Sequence, residues 1–263
     1  MKKFIKILLS LMLACITAVT FASCKWDGEI KEPKIKGDLM TEAEVEAWVE
    51  DYEAKAEGMT VEGGWYKFNI ELNISYRSGG DTSENLFKIT GKMYNSANEN
   101  EIKYVMEVEG YATETEDGVK TSYTETSGKA VYIDGVAYTE MTVITDDEDG
   151  HSEETEKIKD DDNHFDLDPT GLLEFEDLAE MLYRDADIYK FRNGITIAKE
   201  EEGSIGRLIT EFKRNSAEVK SLKFYLKLDV SNTKLEVLGE MESTLFGSVK
   251  APKDADEYND ERY

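Results

Sequence analysis

The chain has 263 residues, 57 of them acidic and 31 basic, for a formal net charge of −26 and a pI near 4.5. So negative a field opposes nucleic acids and anionic headgroups, which excludes nucleic-acid binding, and it favours solubility. With two cysteines, one inside an N-terminal apolar run, no disulfide framework is available. A buried core must hold the fold, and a chain this long buries about 70–75% of its unfolded surface.

The first element in chain order is a leader. Lys2, Lys3 and Lys6 precede an apolar run over residues 7–19, broken only by Ser10 and Thr17, and small residues Ala22 and Ser23 lead to Cys24. This is the layout of a secretory signal. Phe21-Ala22-Ser23-Cys24 resembles the bacterial lipobox, in which the cysteine thiol is diacylated and the chain is cut before it; Phe21 departs from the usual leucine. The alternative is an ordinary cleaved signal with an incidental cysteine. Loss of 1–23 leaves 240 residues with 28 basic against 57 acidic, a formal −29, and takes Cys15 with it. Two acyl chains suffice for stable anchoring where one is marginal. No other run of 18 or more apolar residues exists. The expectation is an exported protein, lipid-anchored through Cys24 to the bacterial cell membrane or envelope, with its domain outside the cytoplasm.

Residues 24–40, with Gly28, Pro33 and Gly37, read as a mobile polar tether, and 41–263 as a single domain. Thr41 and Glu44 form a capping box that opens a helix. Val45, Trp48, Val49, Tyr52 and Ala56 give it one apolar stripe, and Gly58 stops it. Tyr66, Phe68, Ile70, Leu72, Ile74 and Tyr76 then alternate with polar residues, which predicts a half-buried strand. The alternation recurs in Phe87, Ile89 and Met93; in Ile102, Tyr104, Met106 and Val108; in Leu222, Phe224, Leu226, Leu228 and Val230; and in Leu235, Val237, Met241 and Leu245. Ser78-Gly79-Gly80, Asp117-Gly118, Asp134-Gly135 and Asn193-Gly194 mark hairpin turns. Two short helices are expected, over 172–183 (Leu172, Phe175, Ala179, Leu182) and 205–214 (Ile205, Leu208, Ile209, Phe212). Residues 145–168 read as a long acidic loop.

The expected class is α+β: a curved antiparallel sheet of about nine or ten strands, its apolar face covered by the N-terminal helix and the two inserted ones. That order of elements, with the tyrosine-flanked stretch Val131-Tyr132-Ile133-Asp134-Gly135-Val136-Ala137-Tyr138 and the tail Val249-Lys250-Ala251-Pro252-Lys253-Asp254-Ala255, resembles the LolA/LolB and LppX/LprG-type half-barrel lipoproteins. The resemblance implies a space between sheet and helices able to hold acyl chains.

Its lining would come from Trp48, Tyr52, Tyr66, Phe68, Ile70, Leu72, Ile74, Ile102, Tyr104, Met106, Leu222, Phe224, Leu226 and Leu228. The same residues serve equally as an ordinary filled core. Asp147, Asp149, Gly150 and Glu156 fall at positions 3, 5, 6 and 12 of a calcium loop, but Thr145 stands where Asp is required and Ser152 where an apolar residue is. A solvated charge run explains them, and no metal or cofactor is expected. His151 and His164 both lie in that acidic stretch as loop residues. No nucleophile elbow, phosphate loop or carboxylate dyad stands out, so no enzyme is expected. Two functions remain: an envelope lipoprotein binding a lipid or other apolar ligand, or a surface scaffold with a filled core.

Overall fold

Alternation is converted into strands almost wherever it occurs. The computed structural model describes residues 29–57, 63–95, 101–160 and 185–260. In chain order these form β1 (Asp38–Leu39), α1 (Glu42–Glu57), β2 (Gly64–Ser78), β3 (Asp81–Asn95), β4 (Lys103–Glu116), β5 (Val119–Ile133), β6 (Val136–Asp147), β7 (Gly150–Asp160), β8 (Asp187–Phe191), β9 (Gly194–Glu201), β10 (Ser204–Phe212), β11 (Val219–Val230), β12 (Thr233–Thr244) and β13 (Asn259–Asp260). Asp117-Gly118 and Asp134-Gly135 both adopt positive φ (48° and 79°, 53° and 82°), the geometry that matches a two-residue turn to the twist of its strands.

All thirteen strands belong to one sheet, in the order β1-β8-β9-β10-β11-β12-β2-β3-β4-β5-β6-β7-β13. It consists of two meanders, β2–β7 and β8–β12, joined where β12 pairs antiparallel with β2 from Thr233↔Tyr76 to Thr244↔Trp65. The two-residue strands β1 and β13 cap the edges, β1 antiparallel on β8 and β13 parallel on β7. Short caps of this kind restrict edge-to-edge pairing.

The expected α+β class is therefore corrected. Among the described residues there is one α-helix and a thirteen-stranded sheet, so the protein is nearly all β. The helix expected over 205–214 is strand β10. Its apolar residues mimic a helical stripe because both faces of the strand are covered. Leu208 packs against the main core cluster, while Ile209 is 5% exposed on the other face and Ile205 packs against the cluster around Ile30. A strand buried on both sides loses its period of two. The helix expected over 172–183 lies outside the described residues, as do Cys24, Gly58 and His164.

Residues 145–160 are not a loop but the end of β6 and all of β7. Their side chains are wet on both faces, so no apolar alternation signals the hairpin. Residues 29–39, expected to be mobile, are docked on the sheet and end in β1. The helix α1 forms where expected, with the Glu44 carboxylate accepting from both the N–H and the hydroxyl of Thr41 at 2.8 Å. It does not cover the sheet, however: none of its residues is buried.

Candidate functional site on the apolar sheet face

Register aligns the apolar residues into rows across the strands. One row runs Ile188, Ile197, Leu208, Phe224, Gly239, Ile70, Ile89, Val108, Gly128, Met141, from β8 to β6, and ends at Glu156 on β7. The neighbouring row carries Leu226, Val237, Leu72 and Phe87 and reaches Gly110 and Thr126. This face is withdrawn from water: Ile70 is 3% exposed, Ile89 2% and Leu226 1%. A sheet that met lipid with its apolar side would instead present that side outward.

Glycines shape the face. A methyl on Gly91 would stand 2.4 Å from Cζ of Phe68, and one on Gly110 would stand 2.6 Å from Cδ1 of Phe87. Each ring lies over the glycine of the next strand, so large side chains fit flat against the sheet. Tyr104 and Tyr132 stack at 5.4 Å between centroids with 16° between planes. Burial, and then the neighbouring Tyr132, push the Tyr104 phenol well above its ordinary range. Thr126 is 4% exposed, and its hydroxyl has no hydrogen-bond partner among the described residues.

Of the side chains expected to line a ligand space, Phe68, Ile70, Leu72, Tyr104, Phe224 and Leu226 are buried in one cluster, with Ile74, Met106 and Leu228 packed against it. Tyr66 and Leu222 share that face by register and are half-buried, as is Ile102 just before β4. Trp48 and Tyr52 are elsewhere. They stack on each other at 5.4 Å and meet Phe212, the last residue of β10, at 6.1 and 5.5 Å. Placing α1 over the sheet through Val45, Trp48, Val49 and Tyr52 is thus corrected. Val49 is 38% exposed, and the helix rests at a strand end.

The opposite face is polar and carries a strap formed by residues 29–37. Ile30 (6% exposed) inserts beside Tyr225 and Leu238. Arg207, 1% exposed, donates to Glu32 at 2.7 Å and to Glu200, and also to the carbonyls of Lys199 at 3.1 Å and Gly206 at 3.0 Å. Lys36 pairs with Glu211 at 3.1 Å, which holds that carboxylate below its usual range, and its carbonyl accepts from the Thr196 hydroxyl at 3.0 Å. Between strap and sheet lies a groove of about 540 Å³, lined in part by Lys34, Lys36, Lys67, Lys223, Glu211 and Glu240. The sequence reading missed this strap. Its one signal was Arg207, a charge in the middle of an apolar strand.

The residues at calcium-loop spacing lie in the β6–β7 hairpin. Asp147 pairs with Gly150 at the turn and its carboxylate accepts the Asp149 N–H at 2.9 Å, whereas Glu156 pairs with Met141 six residues along the strand, about 20 Å away. Among the described residues no group of three or more His, Cys, Asp or Glu side chains is placed to hold a metal. His151 contacts Asp146 across the hairpin at 2.8 Å, exposed.

No protein-family model matches the chain, and no curated protein does. Among solved structures, the translocator domain of autotransporter NalP from Neisseria meningitidis is 7% identical, over 78% of this chain and 96% of that one, with a TM-score of 0.36. A porin-like protein from Bacteroides uniformis is 8% identical, over 69% and 96%, with a TM-score of 0.16. Neither is a lipoprotein of the LolA/LolB or LppX/LprG type. The fold withdraws that resemblance and the half-barrel it implied: of the expected covering helices, the one over 205–214 is strand β10 and α1 rests at a strand end. Scores this low carry no functional argument.

Proposed function

We propose that the chain is a non-catalytic protein of the bacterial cell envelope, exported, cleaved before Cys24 and held at a membrane by acyl chains on that residue. Its apolar sheet face seats an acyl chain or a similar apolar ligand. The anchor is supported by Phe21-Ala22-Ser23-Cys24 behind a basic and then apolar leader. The ligand is supported above all by the Thr126 hydroxyl, buried on an apolar face with no partner among the described residues, where the ester or carboxyl oxygen of a lipid, not its methylenes, would accept from it. Leaving such a group unpaired costs about 1–3 kcal/mol. Apolar ligand sites characteristically hold a few polar groups that fix orientation. The helix that would have filled the face lies at the end of β10 instead.

The test is organic extraction of a soluble form beginning at Lys25, exported on a cleavable signal and purified from a bacterial envelope, followed by lipid mass spectrometry. Stoichiometric lipid is expected, and it should be lost in a folded Ile70→Glu or Phe224→Glu variant. A clean extract sinks the ligand and favours a surface scaffold with a filled core, a reading supported by the tight cluster that Ile70, Ile89 and Leu226 form.

A further inference from the structure

We infer that the outer edge of β7, from Gly150 to Lys157, binds an extended basic segment of another protein by adding it to the sheet as a further strand. This depends neither on the apolar ligand nor on the Cys24 anchor. Three observations carry it: an edge left open, a strand already added at its end, and carboxylates on both sides of it.

The edge is long. β7 pairs with β6 along its whole length, from Asp147↔Gly150 to Ala137↔Asp160, whereas on its other side β13 meets only Ile158 and Lys159. In an antiparallel pair half of a strand's main-chain N–H and C=O groups turn away from its partner. Along residues 150–157 those groups face outward, and among the described residues no main-chain hydrogen bond reaches them. Eight residues span about 26 Å, room for a strand of ordinary length. Such a row is a template for a further chain. The other margin of the sheet is covered: β1 pairs with Tyr189 and Lys190 of the short strand β8, and the Met40 N–H donates to the Ile188 carbonyl at 2.8 Å.

The edge already accepts a strand. Asn259 and Asp260 lie parallel to Ile158 and Lys159. They are held there by Lys157, which pairs with Asp254 and, at 3.1 Å, with Glu257, and by Tyr258, whose ring meets Tyr138 edge-on at 5.6 Å. The acidic tail thus engages the edge through a cation. Beyond Lys157, toward the turn, that chemistry reverses: residues 146–156 hold seven carboxylates and no lysine or arginine.

The carboxylates define the partner. Register puts Glu154 and Glu156 on the face that carries the apolar rows and Glu153 on the opposite one. All three are exposed, and none is in an ion pair among the described residues. Side chains directly opposite on adjacent strands stand about 4.5–5.5 Å apart, so a strand laid on β7 meets carboxylates on both of its faces. Lysine and arginine at successive positions satisfy that arrangement. A second copy of this chain would set glutamate against glutamate, and the field of a chain of net −26 repels it while drawing a basic segment in.

The chain from Lys25 to Tyr263 is titrated into a fluorescein-labelled peptide, Thr-Lys-Arg-Val-Lys-Arg-Val-Thr, at low salt, and binding is read by anisotropy. Saturable one-to-one binding is expected. The triple variant Glu153→Lys, Glu154→Lys, Glu156→Lys should weaken it about tenfold or more, whereas Glu46→Lys, Glu50→Lys, Glu53→Lys on α1, an equal change in net charge, should weaken it less than about threefold. A peptide N-methylated at its four central residues cannot donate to the edge and should also bind about tenfold more weakly. This last arm uses the unaltered protein, so it stands whether or not the triple variants fold. An absence of binding overturns the inference and leaves the carboxylates as a guard against edge pairing. Equal losses in the two triple variants, or full binding of the N-methylated peptide, overturn it in favour of attraction by the overall field. A dimer in sedimentation that the β7 triple variant abolishes overturns the choice of occupant in favour of a second copy.

Discussion

Replacing Gly91 by alanine should destabilise the protein, although alanine in a strand interior normally gains about 0.5–1 kcal/mol over glycine. At Gly91 the added methyl would lie 2.4 Å from Cζ of Phe68 and 2.5 Å from the carbonyl oxygen of Val105. The ring can yield only against its own cluster, since Phe68 is 7% exposed among Ile70, Met93 and Tyr104. The carbonyl belongs to the β4 backbone and cannot yield without deforming the β3–β4 pair. Overpacking costs about 1–3 kcal/mol, and the upper half of that range applies where a backbone carbonyl is among the clashing atoms, so the net loss should be about 1–2 kcal/mol after the glycine offset. For a domain of this size that corresponds to a fall in Tm of about 2–8 °C. Urea melts followed by tryptophan fluorescence, with calorimetry, measure it on a soluble form beginning at Lys25. Gly64→Ala is the control, because its methyl meets the Tyr66 ring at an ordinary 3.4 Å and should change stability by less than about 0.5 kcal/mol. In a Phe68→Leu background the cost of Gly91→Ala should shrink but persist, leaving the Val105 part. A neutral or stabilising Gly91→Ala would show that the rings do not lie over the glycines and would refute the packing described for this face.

Ile89→Ala should cost about 2–5 kcal/mol in the same melts, whereas Trp48→Ala, half-buried at a strand end, should cost about 1 kcal/mol, well short of the 3–5 of a fully buried ring. Arg207→Met should be tolerated better than the double change Glu32→Gln with Glu200→Gln. Those carboxylates are 41% and 63% exposed and can rehydrate, while an unpaired Arg207 stays buried at a cost of about 3 kcal/mol or more. The Glu211 carboxyl, held below its usual range first by the Lys36 hydrogen bond and assisted by Lys220, stabilises the docked strap above the ordinary carboxylate range. That stabilisation is lost as the pH falls through its lowered value, so the anisotropy of a fluorophore at Lys34→Cys should drop on acidification, and a Lys36→Met background should abolish the drop. Cys24→Ala should release the protein from membranes and remove the diacylglyceryl mass from its N-terminus.

Legibility followed the chemistry of each surface. Strands with one dry and one wet face, such as β2 and β11, announce themselves by alternation, and the Asp-Gly turns that join hairpins do so through their positive φ. β10 was hidden because the strap covers its second face, so Ile205, Leu208, Ile209 and Phe212 read as a helix. β7 was hidden for the opposite reason, since Glu153, Glu154 and Glu156 are wet on either side. The Glu32–Arg207 pair joins residues 175 positions apart and the Ile30 socket spans still more of the chain, and no local pattern encodes such a pairing.

By itself the sequence determined the acidic field, most of the strands and the capped start of α1, because each depends on composition or on neighbours within a few residues. Only the tertiary structure decided that the two meanders meet at β12 and β2, that α1 rests at a strand end, and that the presumed tether is a docked strap. Those outcomes depend on which apolar faces meet after the chain has doubled back. That is settled by the burial available in three dimensions, and one dimension of sequence does not contain it.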